Sequence, residues 1–123
     1  MNSVSAFDSS FFDGRREGNI AVLTLTKTQL TDEENLEQLD HDLMLVIESL
    51  SCRQIVIDMQ KVAYLTSSAL GKLIALHRRL GRMGGRLVLC AVAGTVEDIL
   101  RTSHLYSYFS VTDNQSDAIA ALT

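Results

Sequence analysis

The sequence predicts a single α/β domain, with a mixed β-sheet of about five strands, an N-terminal hairpin and about four helices. The chain has 123 residues, which fits one hydrophobic core. Short β-branched runs such as residues 55–57 alternate with longer amphipathic segments, an order typical of a sheet with crossover helices. We therefore expect residues 1–123 to form one domain, with residues 1–10 as a candidate disordered N-terminus.

The N-terminal third of the chain predicts a hairpin followed by a helix. Residues 11–26 place an apolar, β-favouring run after a polar, turn-rich break at residues 15–19. Thr31 and Glu34 form a capping box, in which each side chain bonds a backbone N–H that the first helical turn leaves free. A first helix of roughly four turns follows, because apolar residues recur at helical spacing. These residues are Leu36, Leu39, Leu43, Val46, Ile47 and Leu50.

The central part of the chain predicts two buried strands separated by a second helix. Residues 55–57 and 87–92 are continuous apolar runs, which suit strands covered on both faces. The helix between them ends at Gly84 and Gly85, because glycine readily adopts the left-handed conformation that terminates helices. Its apolar stripe consists of Leu70, Leu73, Ile74, His77 and Leu80.

The C-terminal part predicts two shorter helices and one strand. Thr95, with Asp98 three residues later, indicates the start of a third helix. Residues 108–111 favour a short final strand. Asn114 then predicts the N-cap of a C-terminal helix over residues 118–122.

Charge and composition exclude several classes of function. A net charge of −4 is unlike the clustered positive charge of nucleic-acid binders, so we expect no nucleic-acid partner. No apolar run approaches the roughly 18–20 residues that span a bilayer, and residues 1–18 lack the pattern of a secretory signal. We therefore expect a cytoplasmic protein with no membrane partner. Cys52 and Cys90 have no CxxC spacing and no nearby histidine, so they predict buried thiols in a reducing compartment and no metal site.

Candidate catalytic residues do not form a recognisable motif. His41, His77 and His104 are scattered, and no nucleophile elbow, phosphate-binding glycine loop or dinucleotide fingerprint is found. Because no nucleophile, base and oxyanion donors can be combined, we expect a binding protein that is not an enzyme and needs no cofactor.

The junction before the second helix resembles that of a known family. The run Thr66-Ser67-Ser68-Ala69-Leu70-Gly71 follows a buried strand and opens a helix. It is similar to the Asp-Ser-(Ser/Thr)-Gly-Leu-Gly run of the STAS domain family, of the anti-sigma factor antagonist type. The resemblance covers roughly residues 20–122 and is sharpest between residues 58 and 89.

The resemblance implies a partner, a modification and a binding surface. The implied partner is an anti-sigma factor with serine kinase activity, and its binding would release a sigma factor. The position that is phosphorylated in the family corresponds to Ser67, with Thr66 and Ser68 as alternatives. The implied partner-binding residues lie around this junction and on the preceding loop: Thr26, Lys27, Thr28, Tyr64, Leu65, Thr66, Ser67, Ser68, Ala69 and Lys72.

Three features depart from the family pattern: Ala69 in place of glycine is the milder change, and the other two concern the switch. Thr66 replaces the aspartate before the phosphorylated serine, and residues 27–30 replace an acidic run that lies near it in the family. A serine at this junction also has a structural interpretation as a helix N-cap. Two alternatives to the switch therefore stay open: a scaffold that is not phosphorylated, and a small-ligand sensor with a pocket between the hairpin and the second helix.

The first and second helices differ in charge. Residues 32–48 contain acidic but no Lys or Arg side chains, whereas residues 72–86 contain basic but no acidic ones. The simplest interpretation is two solvated helix faces that attract each other. A partner that reads one of these faces for orientation is the functional alternative.

Overall fold

The computed structural model describes residues 6–32 and 35–123, and within them the chain forms eight strands and four helices. The strands are β1 (Ala6–Asp8), β2 (Phe12–Glu17), β3 (Ile20–Leu25), β4 (Gln29–Leu30), β5 (Gln54–Asp58), β6 (Tyr64–Leu65), β7 (Arg86–Cys90) and β8 (Ser110–Thr112). The helices are α1 (Leu36–Leu50), α2 (Ser67–Arg82), α3 (Gly94–Thr102) and α4 (Gln115–Leu122).

Six of these strands form one mixed sheet in the order β1-β2-β3-β5-β7-β8. The first three are antiparallel, and β3, β5, β7 and β8 are parallel. The predicted fold class is therefore confirmed, with one more strand than expected. The additional strand is β1, which pairs with β2, so the disorder expected for residues 1–10 does not extend to Ala6–Asp8. Residues 1–5 lie outside the described residues.

The helices cover the two faces of the sheet unequally. Helices α1, α2 and α3 pack on one face, where residues such as Leu23, Ile57 and Leu89 form the main core. Helix α4 packs on the other face, through Ala118, against Val56 and neighbouring strand residues. Alternate residues of β5 and β7 thus enter different cores, as expected for strands buried on both faces.

Two element boundaries in the N-terminal part differ from the prediction. The hairpin turn is confined to Gly18 and Asn19, because glycine at φ +62° permits a two-residue turn and residues 15–17 stay in β2. Helix α1 begins at Leu36 and is capped by Asn35, whose side chain accepts a hydrogen bond from Gln38 N. The predicted cap at Thr31 is therefore wrong, and Glu34 lies outside the described residues.

The connection from α2 to β7 depends on two glycines, as predicted. Gly84 has φ +78°, which ends the helix. Gly85 packs directly on the backbone of Arg53, where an added Cβ would lie 2.0 Å from the Arg53 carbonyl oxygen. His77, which the predicted stripe placed among the core residues, is half-buried and lies against the Tyr108 ring, 4.7 Å between centroids.

The C-terminal elements also shift slightly. Strand β7 ends at Cys90, two residues before the predicted end, because Ala91 has φ +58° and cannot continue the strand. Helix α3 begins at Gly94 after Ala93, with no side-chain cap, so Thr95 is not its N-cap. Strand β8 begins at Ser110, not at residue 108. Asn114 accepts from Asp117 N at 2.9 Å, which confirms the cap of α4.

Candidate functional site

A short parallel pairing holds the two predicted binding segments together. Strands β4 and β6 pair as a separate two-stranded sheet. The carbonyl oxygen of Thr28 accepts hydrogen bonds from Ala63 N at 2.7 Å and Tyr64 N at 3.3 Å, and the Leu30 carbonyl accepts from Thr66 N at 3.0 Å. The loop after β3 is thereby fixed beside the N-terminus of α2 by main-chain bonds.

Thr66 is the N-cap of α2. Its hydroxyl oxygen accepts from Ala69 N at 3.4 Å, and its O–H donates to Asp32 Oδ1 at 3.2 Å. The helix-cap interpretation of Ser67 is therefore wrong, because the preceding residue has that role. The Thr66 hydroxyl is thus engaged both as a donor and as an acceptor.

Ser67 and Ser68 are the first two residues of α2, and both are exposed. Neither hydroxyl has a hydrogen-bond partner among residues 6–32 and 35–123. At a helix N-terminus the free N–H groups and the helix dipole favour an added negative charge. Both serines therefore present unengaged hydroxyls at a position that tolerates a phosphate.

The two serines share one cleft, and Ser68 also borders a second. Both line a cleft of about 480 Å³ between the N-terminus of α2 and α3. Its lining residues are Asp32, Tyr64, Leu65, Thr66, Ser67, Ser68, Leu70, Ile99, Thr102 and Ser103. Ser68 alone of the two also lines a larger cleft of about 630 Å³ between α1 and α2, together with Asp32, Asn35, Leu36, Glu37, Gly71, Lys72 and Ala75. Neither cleft is bounded by the β2–β3 hairpin, where the ligand-sensor alternative placed its pocket.

Ion pairs join the acidic helix α1 to the basic helix α2. Lys72 Nζ lies 2.7 Å from Glu37 Oε1, and Arg79 Nη2 lies 3.7 Å from Glu48 Oε2. The hydrogen bond to Glu37 raises the pKa of Lys72, so this side chain stays protonated well above neutral pH. The predicted attraction between the two charged helix faces is confirmed by these contacts.

The other predicted binding residues differ in what they offer to a partner. Tyr64 is 43% exposed and lies on the surface beside Ser67. Leu65 and Ala69 are only 1% exposed, so they belong to the hydrophobic core beneath the surface and are not available for contact with a partner. Lys27 lies over the Phe11 ring, 5.8 Å from its centroid, and Thr26 Oγ1 donates to Ser10 O at 3.4 Å.

Asp32 is the site residue that the sequence interpretation missed. It accepts from Thr66 and lines both clefts, so it places a carboxylate near the two serines. The sequence signal was present in the acidic run that starts at Asp32, but that run was assigned to the first turn of α1. Residues 27–30 contain no carboxylate, and Asp32, later on the same loop, places one at the N-cap of α2.

Residues 6–32 and 35–123 contain neither a candidate metal site nor a candidate membrane span. No group of three or more His, Cys, Asp or Glu side chains is placed to hold a metal ion. Likewise, none of the helices there combines the length and apolar character needed to cross a bilayer.

The chain belongs to the STAS domain family, whose sequence pattern matches residues 13–118. It is 27% identical over 92 residues to BtrV of Bordetella bronchiseptica, a candidate anti-sigma factor antagonist, and this match covers 75% of the chain and 78% of BtrV.

Solved structures share the fold at lower identity. An anti-sigma factor antagonist (STAS) domain protein from Planctomyces limnophilus superposes with a TM-score of 0.80 at 18% identity, covering 94% of this chain and 100% of that one. The phosphorylated form of the Bacillus cell fate determinant SpoIIAA superposes with a TM-score of 0.69 at 18% identity, covering 91% and 99%. The chain is therefore similar to anti-sigma factor antagonists in sequence and in fold.

Proposed function

We propose that this protein is a regulatory binding module of bacterial transcription, an anti-sigma factor antagonist switched by phosphorylation of Ser67. Its proposed partner is an anti-sigma factor with serine kinase activity. The unphosphorylated protein binds this partner in the cytoplasm and so releases a sigma factor. The protein itself acts by binding and not by catalysis.

The exposed hydroxyl of Ser67 is the observation that carries this proposal. Because Thr66 caps α2, Ser67 is left without a structural hydrogen bond. Ser67 and the exposed Tyr64 line the same cleft. The main-chain pairing of β4 with β6 fixes the loop that contains Thr28 next to this cleft. These groups form one continuous surface for a partner.

The modification is a phosphoryl transfer. The Ser67 oxygen forms a bond to the γ-phosphorus of ATP, the bond from that phosphorus to the bridging oxygen breaks, and ADP and the hydroxyl proton leave. The phosphate adds about −1.5 to −2 charges at pH 7. The helix N-terminus accommodates this charge, so the domain stays folded while the partner surface becomes anionic. A loss of about 3 kcal/mol on that surface weakens binding more than a hundredfold.

The test combines capture and phosphorylation. Wild-type protein and the Ser67→Ala and Ser67→Glu variants are used as baits in native lysate, with Ser116→Glu, at an exposed position in the first turn of α4, as the control for the added charge. A partner bound by wild type and Ser67→Ala, but not by Ser67→Glu, is then purified and incubated with wild-type protein and ATP. We expect fragment mass spectrometry to locate one phosphoryl group on Ser67.

The outcomes separate the candidate functions. Equal recovery of one partner by all baits indicates a scaffold without a switch and refutes the phosphorylation proposal. Transfer of phosphate to Ser68 in place of Ser67 refutes the choice of residue. If the purified partner contains no ATP-dependent kinase activity, the proposed class of partner is wrong.

A further inference from the structure

Ser68 and Ser67 differ in which charged side chains they face. Ser68 precedes Lys72 by one helical turn, and side chains four residues apart on a helix are neighbours at about 5–6 Å between Cβ atoms. Both residues line the cleft between α1 and α2. Ser67 is five residues from Lys72 and lines only the cleft toward α3.

Lys72 is also the residue that ties the first turn of α1 to α2. Its ammonium group lies 2.7 Å from Glu37 Oε1, and the Lys72 side chain is 24% exposed, whereas that of Glu37 is 84% exposed. Glu37 is therefore the more solvated partner of this pair. The carboxylate of Asp32 lines the same cleft.

We propose that Ser68 is a second position at which an added phosphate acts as a switch: the phosphate forms an ion pair with Lys72 in place of Glu37 and separates the first turn of α1 from α2. The phosphate carries about twice the charge of a carboxylate and offers three strong acceptor oxygens. It is linked to the same helix as Lys72, whereas Glu37 must be held from the neighbouring helix. The added charge also repels Glu37 and Asp32 across the cleft, so both effects favour separation.

The two serines consequently have different effects when phosphorylated. Phosphate on Ser67 changes the surface next to Tyr64 and leaves the α1–α2 ion pair intact. Phosphate on Ser68 changes the contact between the two helices at the other cleft. This inference rests on the proposed function only in taking phosphorylation as the modification, since neither a kinase nor a binding partner enters its test.

The experiment uses full-length protein with phosphoserine installed during translation at position 68, at position 67 as the matched control, or at neither. The side-chain NMR signals of Lys72 are followed from pH 5 to pH 8. We expect these signals to titrate with the second ionisation of the phosphate, near pH ~6, in the protein phosphorylated at Ser68 and in neither of the others.

A second measurement reports on the helix contact. Hydrogen exchange of the Gln38 and Leu39 amides, which bond the Asn35 carbonyl, is expected to accelerate about two- to fivefold with phosphate on Ser68. The Glu37→Gln variant should give a similar acceleration without any phosphate. Lys72 signals that are identical in the two phosphorylated proteins, or exchange rates unchanged by phosphate on Ser68, would overturn the inference. Either result leaves the partner-binding role of Ser67 unaffected.

Discussion

Gln115 Nε2 donates a hydrogen bond to Asp58 Oδ2 across 2.6 Å and so joins the last helix to the centre of the sheet. Asp58 is the buried charged residue at the end of β5, 5% exposed, and its other carboxylate oxygen accepts from Gln60 N at 2.8 Å. The side-chain oxygen Oε1 of Gln115 accepts a hydrogen bond from Arg15 Nη1 at 2.7 Å. One side chain therefore connects the hairpin, the sheet and α4.

Replacing Gln115 with alanine is expected to destabilise the protein by about 1–3 kcal/mol, because Asp58 Oδ2 would stay buried without its partner. Urea unfolding followed by circular dichroism measures this change. Ser116→Ala, at an exposed neighbouring position of α4, is the control and should be within about 0.5 kcal/mol of wild type. Equal urea midpoints for Gln115→Ala and Ser116→Ala would contradict this prediction, because they would show that water replaces the Gln115 hydrogen bond to Asp58 without a loss of stability.

The cap of α2 makes a second stability prediction. Thr66→Val removes the hydroxyl that bonds both Ala69 N and Asp32, and we expect a loss of about 1 kcal/mol. Thr66→Ser retains the hydroxyl and should lose clearly less. Thermal unfolding of the two variants gives the comparison, and a valine variant as stable as the serine variant would contradict the role of Thr66 as a cap.

A third prediction concerns Gly85, which packs against the backbone of Arg53. In Gly85→Ala the new methyl group would meet the Arg53 carbonyl at 2.0 Å, so the strands must shift, and we expect a loss of about 2 kcal/mol or more. Gly81 lies in the exposed part of α2 with open space around its Cα. Gly81→Ala should therefore stabilise the helix by up to about 1 kcal/mol. We therefore expect Gly85→Ala to lower the free energy of unfolding and Gly81→Ala to raise it when both variants are measured in the same unfolding experiment.

Cys90 predicts how stability depends on alkaline pH. Burial, with a smaller contribution from the Asp58 charge, raises the pKa of this thiol from 9.0 to about 12. Between these values the unfolded thiol loses its proton while the folded thiol keeps it, so rising pH favours unfolding.

The Cys90→Ala variant isolates this effect from the other groups that titrate in the same range. Above pH 9 we expect the stability of wild type to fall more steeply than that of the variant, by at most about 1.4 kcal/mol per pH unit. Urea unfolding at several pH values measures the two slopes. If stability falls with pH at the same rate in wild type and in Cys90→Ala, the Cys90 thiol has the same pKa in the folded and unfolded protein, which would contradict the prediction.

The sequence predicted those parts of the fold that follow from local patterns. The leucine stripe of α1 and the Asn114 cap of α4 appear at the predicted positions, because periodicity and capping act within one turn. Strand β1 and the β4–β6 pair were not predicted, since two or three residues carry no periodicity and depend on distant partners. The bond between Asp32 and Thr66 was missed for the same reason: it joins residues 34 positions apart.

The pairing of β4 with β6 has a consequence for how this surface changes during evolution. The bonds that join the β4 segment to the β6 segment include those between backbone atoms of Thr28, Leu30, Ala63 and Thr66, which do not depend on the side chains at these positions. Exposed side chains at positions 28 and 29 are thus free to vary while the shape of the loop is preserved. Under the proposed function, exchanging a few of these side chains would alter which partner binds without rebuilding the loop.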